Sequence, residues 1–212
     1  MKPTATAATA VAAVAASAVL IWPQLDGLTA PDRDTRPASI EGLTVASDLP
    51  MDGYDRDAFG DWTSQGSGCD TREIVLRQQA TPGTYVAGKG CRAIEGEWIS
   101  RYTGTTVTDS SDVDIDHVVP LAEAWRSGAA TWPDELRETF ANDTTRPQLW
   151  AVDASSNRSK GDQDPTTWLP GQDVCGYAQA WLAVKTHYQL SIDPAEHRAL
   201  SDALATCTQE TP

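Results

Sequence analysis

Positive charge is scarce in this 212-residue chain. Lysine and arginine together number 16, against 30 aspartates and glutamates, and the formal net charge is −14. Domains that bind nucleic acid through a broad electrostatic surface usually carry a basic face, so this composition argues against that class of protein. The positive charge is unevenly distributed along the chain, because the cations concentrate between Arg72 and Lys160 while acids dominate both flanks. Local cations can therefore still bind phosphate.

Long apolar runs are missing except at the start of the chain. Lys2 is the only charge before residues 4–22, a stretch of apolar and small residues without an acid or a base. This pattern favours an export signal over residues 1–30, with an uncleaved membrane anchor as the alternative. Residues 31–42 are polar and bracketed by proline, which predicts a linker, and residues 43–212 then form the domain. We expect a secreted protein, or one held on the outer face of the membrane by that segment alone.

Cysteine is limited to four residues, and none of them form a C-x₂-C pair. The absence of that pair argues against a structural zinc site. In an exported chain an even number of cysteines predicts two disulfides. Their order along the chain favours Cys69–Cys91 and Cys175–Cys207, although other connectivities remain formally open.

Histidine is rarer still, with three residues, and one of them lies in an informative run. Residues 114–120 read D-I-D-H-V-V-P, so that Asp116 and His117 stand side by side, and residues 157–160 read N-R-S-K. Cleavage of a phosphodiester needs a metal ligand, a base for water and positive charge on the phosphate. Taken singly, His117 could be a hydrogen-bonded core residue and Asn157 a helix N-cap.

The spacing of these residues resembles the His-Asn-His (HNH) endonucleases, whose ββα-metal motif sets such groups on two strands and a following helix. Residues 69–72, 140–143 and 168–170 extend the match to secreted HNH-family proteins common in actinobacteria, over roughly residues 50–207. The resemblance implies that His117 is the general base and that Asp116 and Asn157 hold one divalent ion. Oxygen ligands suit magnesium, with manganese as the alternative. Gln148 stands where the family has its central asparagine, which braces the loop of the motif. In this chain the longer amide of Gln148 must brace that loop.

Candidate phosphate-binding residues lie beside these groups. Arg158 and Lys160 are expected to hold phosphates near the metal, with Arg158 also counted among the catalytic residues. Arg72 is a third candidate because it follows Cys69 closely, although it could instead form a structural ion pair. For Arg158 and Lys160 the alternative is an exposed surface cation.

The predicted fold is of the α+β class. It has a ββα-metal core (HNH, or His-Me finger), an N-terminal β-rich part and a C-terminal pair of helices linked by a disulfide. The two motif strands are predicted at residues 113–119 and 149–152, with a helix that starts at Asn157. Neighbouring residues of a strand face opposite ways, so Asp116 and His117 can share a site only if the strand ends or bends there, as Pro120 favours.

The leading interpretation is a secreted, metal-dependent endonuclease that hydrolyses phosphodiester bonds of DNA, with RNA left open. No recognition helix, zinc module or basic arm is evident, which predicts low sequence specificity. Nucleic acid is then the substrate, and no stable protein partner is implied. Two alternatives are a cell-wall glycan hydrolase that uses paired carboxylates, and a non-catalytic envelope-binding module that retains the HNH scaffold.

Overall fold

The computed structural model describes residues 39–208, and this part of the chain contains seven short strands and six α-helices. The strands are β1 (Ser64–Gly66), β2 (Cys69–Asp70), β3 (Val86–Ala87), β4 (Ala93–Ile99), β5 (Thr106–Asp109), β6 (Val113–His117) and β7 (Leu149–Asp153). The helices are α1 (Thr71–Gln79), α2 (Leu121–Arg126), α3 (Asp134–Ala141), α4 (Ala154–Lys160), α5 (Val174–Tyr188) and α6 (Pro194–Ala205). This mixture confirms the α+β class. The predicted signal or anchor and most of the predicted linker lie outside the described residues.

The strands form three small antiparallel sheets, ordered β1-β2, β3-β4-β5 and β6-β7. In the β6-β7 pair, Asp116 lies opposite Trp150 and His117 opposite Leu149. Strand β7 runs directly into α4, which packs against both strands. Two paired strands followed by a helix are thus the order that the sequence predicts for residues 113–160, with α2 and α3 inserted between the strands.

The helix after β7 begins earlier than predicted. Asp153 is its N-cap and accepts a hydrogen bond from the backbone N–H of Ser156, so that Asn157 lies within α4 and does not start it. Asp153 and Asn157 are both favourable N-cap residues, and the helix begins after the first of them, directly where β7 ends. Strand β6 also ends at His117, two residues short of the predicted end and three before Pro120.

The β6-β7 pair lies between two hydrophobic clusters. Leu149 and Ala151 belong to the smaller one, built with α1 and β4, whereas Trp150 and Val152 face the larger one, built mainly by the helices. This alternation follows from the opposite orientation of successive side chains in a strand. Because apolar residues cover both faces of the pair, its backbone is fixed by packing on two sides. The end of β6 is therefore held in a defined position.

Both predicted disulfides are confirmed. Cys69 is joined to Cys91 and Cys175 to Cys207, with Cα–Cα distances of 5.1 and 5.0 Å. The second bond links the start of α5 to the 3-10 turn that follows α6, as expected for an antiparallel helix pair. Within residues 39–208, no helix has the length and apolar character needed to cross a bilayer.

Candidate active site

A polar cavity of about 290 Å³ opens beside the end of β6. Its walls come from the segment before β1, from the end of β6 with the start of α2, and from the last turn of α4. The polar residues on these walls are Tyr54, Arg56, Asp116, His117, Asn157, Arg158 and Asp162. The fold thus brings four of the predicted site residues, Asp116, His117, Asn157 and Arg158, to one cavity.

Asp116 is only 6 % exposed, and its carboxylate is held by two neighbours. The ammonium group of Lys160 lies 3.0 Å from Oδ1 and 2.8 Å from Oδ2. The hydroxyl of Tyr102 donates a short hydrogen bond to Oδ2. Burial raises the pKa of the Asp116 carboxyl, while the charge and the hydrogen bond of Lys160 lower it. The buried pair compensates both charges and fixes the orientation of the carboxylate.

His117, the last residue of β6, has its imidazole orientation set from two sides. Its Nε2 lies 2.9 Å from the carbonyl oxygen of Ala141 at the end of α3. Trp62 stacks on the ring, with centroids 5.3 Å apart and an interplanar angle of 14°. A carbonyl can only accept, so Nε2 donates and the other ring nitrogen of the neutral imidazole, Nδ1, is left as an acceptor. This tautomer leaves Nδ1 as the nitrogen able to take a proton.

Burial lowers the pKa of His117 to about 3, far below the near-neutral value expected for a general base. The hydrogen bond to Ala141 opposes this shift, while the positive charges of Arg56 and Lys160 add to it. The imidazole is therefore neutral at any pH near 7.

Asn157 lies on α4, with its amide oriented by an acid on β6. Its Nδ2 donates to Asp114 Oδ2 at 3.1 Å, which keeps the carbonyl oxygen available as an acceptor or ligand. Asp114 and Asp116 are two residues apart on the same strand, so their side chains leave it on the same face. Asn157 thus lines the cavity with a fixed amide, whereas helix capping is done by Asp153.

Gln148 makes two side-chain hydrogen bonds to the backbone of Val119. The N–H of Val119 donates to its Oε1 at 3.1 Å, and its Nε2 donates to the carbonyl oxygen of Val119 at 2.9 Å. Val118 N–H also donates to the Gln148 carbonyl. These bonds fasten the chain just after His117, so the longer amide makes the contacts that bracing this loop requires. Gln148 itself is fully buried and does not line the cavity.

Two of the predicted phosphate-binding residues are placed elsewhere. The side chain of Lys160 is fully buried against Asp116 and donates a further bond to the carbonyl of His117, so it cannot meet a phosphate directly. Arg72 binds the carbonyl oxygens of Ser110 and Val113 and is not on the cavity wall. The sequence could not show either outcome, because both depend on partners about 40 residues away.

Arg56 is a cavity residue that the sequence reasoning missed. It begins the 3-10 helix Arg56–Phe59 and is exposed on the cavity wall, together with Tyr54. Arg158, on α4, is the other exposed cation there. The only signal for Arg56 was a cation within an acidic segment, between Asp55 and Asp57, which is a weak pattern.

The oxygen donors of this cavity fit a hard, largely hydrated divalent ion. Within residues 39–208, no group of three or more histidine, cysteine, aspartate or glutamate side chains is arranged to hold a metal. Magnesium, however, often needs only one or two protein oxygens because it keeps several waters. The Asp116 carboxylate offers about four acceptor positions, and the contacts from Lys160 and Tyr102 use three of them. One position remains on Asp116, and the carbonyl oxygen of Asn157 is a second oxygen donor on the wall of the same cavity.

Comparison with known proteins identifies relatives of the chain. Residues 73–203 match the model of the C-terminal domain of GmrSD restriction endonucleases. The chain is also 47 % identical over 179 residues to a protein of Arthroderma benhamiae described as an uncharacterized secreted protein. That alignment covers 84 % of this chain and 87 % of the relative. No solved structure matches the chain.

The matched region contains Asp116, His117, Gln148 and Asn157, while Arg56 precedes it. It covers more than half of the chain and all of strands β6 and β7 and helix α4. Neither match names the HNH subtype or a metal. The chain belongs to the nuclease family of the C-terminal domain of GmrSD restriction endonucleases.

Proposed function

We propose that the protein is a secreted, metal-dependent HNH endonuclease that hydrolyses phosphodiester bonds of DNA with low sequence specificity. Membership of a nuclease family supports the reaction class, and the similarity to a secreted protein of Arthroderma benhamiae supports export. The observation that carries the proposal is the state of His117. Its Nε2–H is donated to Ala141, so Nδ1 is left as a base in a cavity shared with Asp116 and Asn157.

In the proposed reaction, His117 Nδ1 takes a proton from a water molecule whose oxygen attacks phosphorus. A bond forms between that oxygen and phosphorus, and the bond from phosphorus to the 3′ oxygen breaks. The leaving 3′ oxygen takes a proton from solvent water and His117 returns its proton to solvent, so the products carry a 5′-phosphate and a 3′-hydroxyl group. When bound by Asp116 and Asn157, magnesium would supply positive charge to the phosphate and to the leaving 3′ oxygen. Arg158, exposed beside Asn157, adds charge to the phosphate.

Lys160 and Gln148 act at a distance from the substrate in this scheme. Lys160 keeps Asp116 oriented and ionised within a buried environment. Gln148 holds the loop after His117 through its two bonds to Val119. Trp62 and Ala141 set the plane and the tautomer of the imidazole. Such fixed orientation reduces the reorganisation required at the moment of reaction.

Conversion of supercoiled plasmid DNA to nicked and linear forms tests the proposal. The exported chain should cut in the presence of magnesium, lose this activity with a chelator and lose it in His117→Ala. An activity that persists in His117→Ala would remove the imidazole from the mechanism. An activity indifferent to chelators would remove the metal.

A second candidate is the non-catalytic envelope-binding module, favoured by the neutralisation of Asp116 by Lys160. A carboxylate whose negative charge is already compensated by a lysine binds a divalent ion less tightly. Titration calorimetry of magnesium and manganese into the wild-type protein, together with the plasmid assay, separates the two functions. Absence of both binding and cleavage would favour the module. The glycan hydrolase is left without support by the nuclease family match.

A further inference from the structure

The backbone of Arg56 is held in place by packing of its 3-10 helix, while its side chain extends from that helix without a bonding partner in the described part of the chain. Phe59, in the same 3-10 helix, is fully buried and packs against Trp125 and Phe140. Arg137 donates to the carbonyl oxygen of Ala58 at 3.1 Å. These contacts anchor the short helix against α2 and α3, so the base of the Arg56 side chain has a fixed position on the cavity wall.

The guanidinium of Arg56 makes no hydrogen bond or ion pair with any residue in the described part of the chain, not even with Asp55 or Asp57. Asp55 is engaged in capping the helix, where it accepts from the N–H of Asp57 at 3.0 Å. The guanidinium donors of this exposed arginine are therefore free to bind a ligand.

The cavity residues differ in exposure, and this difference defines two positions at which a phosphate can bind. Asp116 and His117 are each 6 % exposed and form the floor. Arg56 and Arg158 are exposed and stand on different segments at the rim. When one phosphate of a nucleic acid strand lies at the floor for cleavage, the rest of that strand must pass over the rim of the cavity. The rim cations can therefore meet the neighbouring phosphates of that strand.

We propose that Arg56 binds a phosphate of the substrate strand next to the one that is cut. The inference rests on the proposed nuclease function and adds a phosphate subsite that lies outside the region matched to the family model. Arginine suits this role because its planar guanidinium can donate two parallel hydrogen bonds to phosphate oxygens. Arg56 and Arg158 would then hold the strand from two elements.

Binding of a short fluorescein-labelled DNA duplex, followed by anisotropy at several salt concentrations, tests the subsite. The full chain carries His117→Ala in every sample, so that the duplex stays intact, and magnesium is held constant. Adding Arg56→Ala should raise the Kd about tenfold, the value of one charged hydrogen-bonded contact. It should also reduce the slope of log K against log salt by about one.

Arg77→Ala is the matched control. Arg77 is exposed on α1, is not on the cavity wall and has no hydrogen bond or ion pair within residues 39–208, so its loss changes the net charge equally. It should leave the slope unchanged. Arg56→Lys should keep the slope and lose only part of the affinity, because it retains the charge without the planar fork.

The possible outcomes distinguish a failure of the subsite from a failure of the nuclease function. Equal affinities and slopes for Arg56→Ala and Arg77→Ala would overturn the subsite, even if the wild-type chain cuts the duplex. A wild-type chain that neither cuts nor binds the duplex would overturn the nuclease function and the subsite together. Unchanged thermal unfolding of Arg56→Ala, expected for an exposed side chain, assigns any lost affinity to the missing contact.

Discussion

Lys160 has a fully buried side chain, and its ammonium group lies 2.8 Å from Asp116 Oδ2. It also donates to the backbone carbonyl of His117, so the last turn of α4 is tied to the end of β6. A lysine taken out of water is costly unless a partner compensates its charge, and here Asp116 does so. The ion pair is consequently a structural joint between two elements that supply the site.

Lys160→Met should therefore be strongly destabilising. It leaves the Asp116 carboxylate buried without its cation, a loss of about 3–5 kcal/mol. The double variant Asp116→Asn, Lys160→Met removes both charges and should recover much of this loss. Urea unfolding followed by circular dichroism gives both values. A single variant within about 0.5 kcal/mol of wild type, the range of ordinary surface substitutions, would contradict the buried pair.

His117 should make the folded protein sensitive to mild acid. Its pKa in the folded state is about 3, whereas an unfolded chain has the ordinary value near 6.5. Between these values the unfolded state binds the extra proton, so stability is lost as the pH falls. The expected loss between pH 6.5 and pH 5 is about 2 kcal/mol.

The measurement compares the unfolding free energy of wild type and His117→Gln across this range. The glutamine variant lacks the titrating ring and should show a smaller slope. Nuclease activity of wild type should likewise show no loss centred near pH 6.5, because the folded imidazole is still neutral there. Parallel stability profiles for the two proteins would contradict the assigned shift.

At the scale of elements, local signals in the sequence identified the two site strands and the C-terminal helix pair. The start of α6 is an example, because an aspartate followed by a proline and, three residues after the aspartate, by a glutamate forms a complete capping box there. The exact start of α4 was missed, because two residues, Asp153 and Asn157, are both good N-caps. The set of side chains that line the cavity depends on contacts between residues 40 or more positions apart in the sequence. Local sequence patterns do not predict such contacts, which is why Arg56 was not identified from the sequence.

The bond between Cys175 and Cys207 should stabilise the helix pair without affecting the site. It closes a loop with a sequence separation of 32, for which the chain-entropy model gives about 3–4 kcal/mol. Cys175→Ser, Cys207→Ser should lower the unfolding free energy by this amount and leave plasmid cleavage intact below the unfolding transition. Selective loss of cleavage in a folded variant would show that α5 and α6 also position the cavity.

For the whole molecule, net charge and local charge act in opposite directions on a polyanion. The total of −14 repels nucleic acid at long range, although salt screens this effect beyond about 10 Å. Most arginines in the middle of the chain are already paired with acids. Those in ion pairs are Arg72, Arg101, Arg126, Arg137 and Arg146. The arginines that concentrate between Arg72 and Lys160 are thus largely neutralised by the fold.

Two unpaired cations remain on the cavity wall within residues 39–208, Arg56 and Arg158. If they make the phosphate contacts, the slope of log K against log salt for duplex DNA should be only about −2, far shallower than for a protein with a basic groove. Association should also be slow at low salt, since the overall field opposes approach. Stopped-flow anisotropy with the His117→Ala protein gives both quantities. A slope steeper than about −4 would mean that other exposed cations, such as Lys89 and Arg92, also contact the phosphates, and that the substrate extends well beyond the cavity.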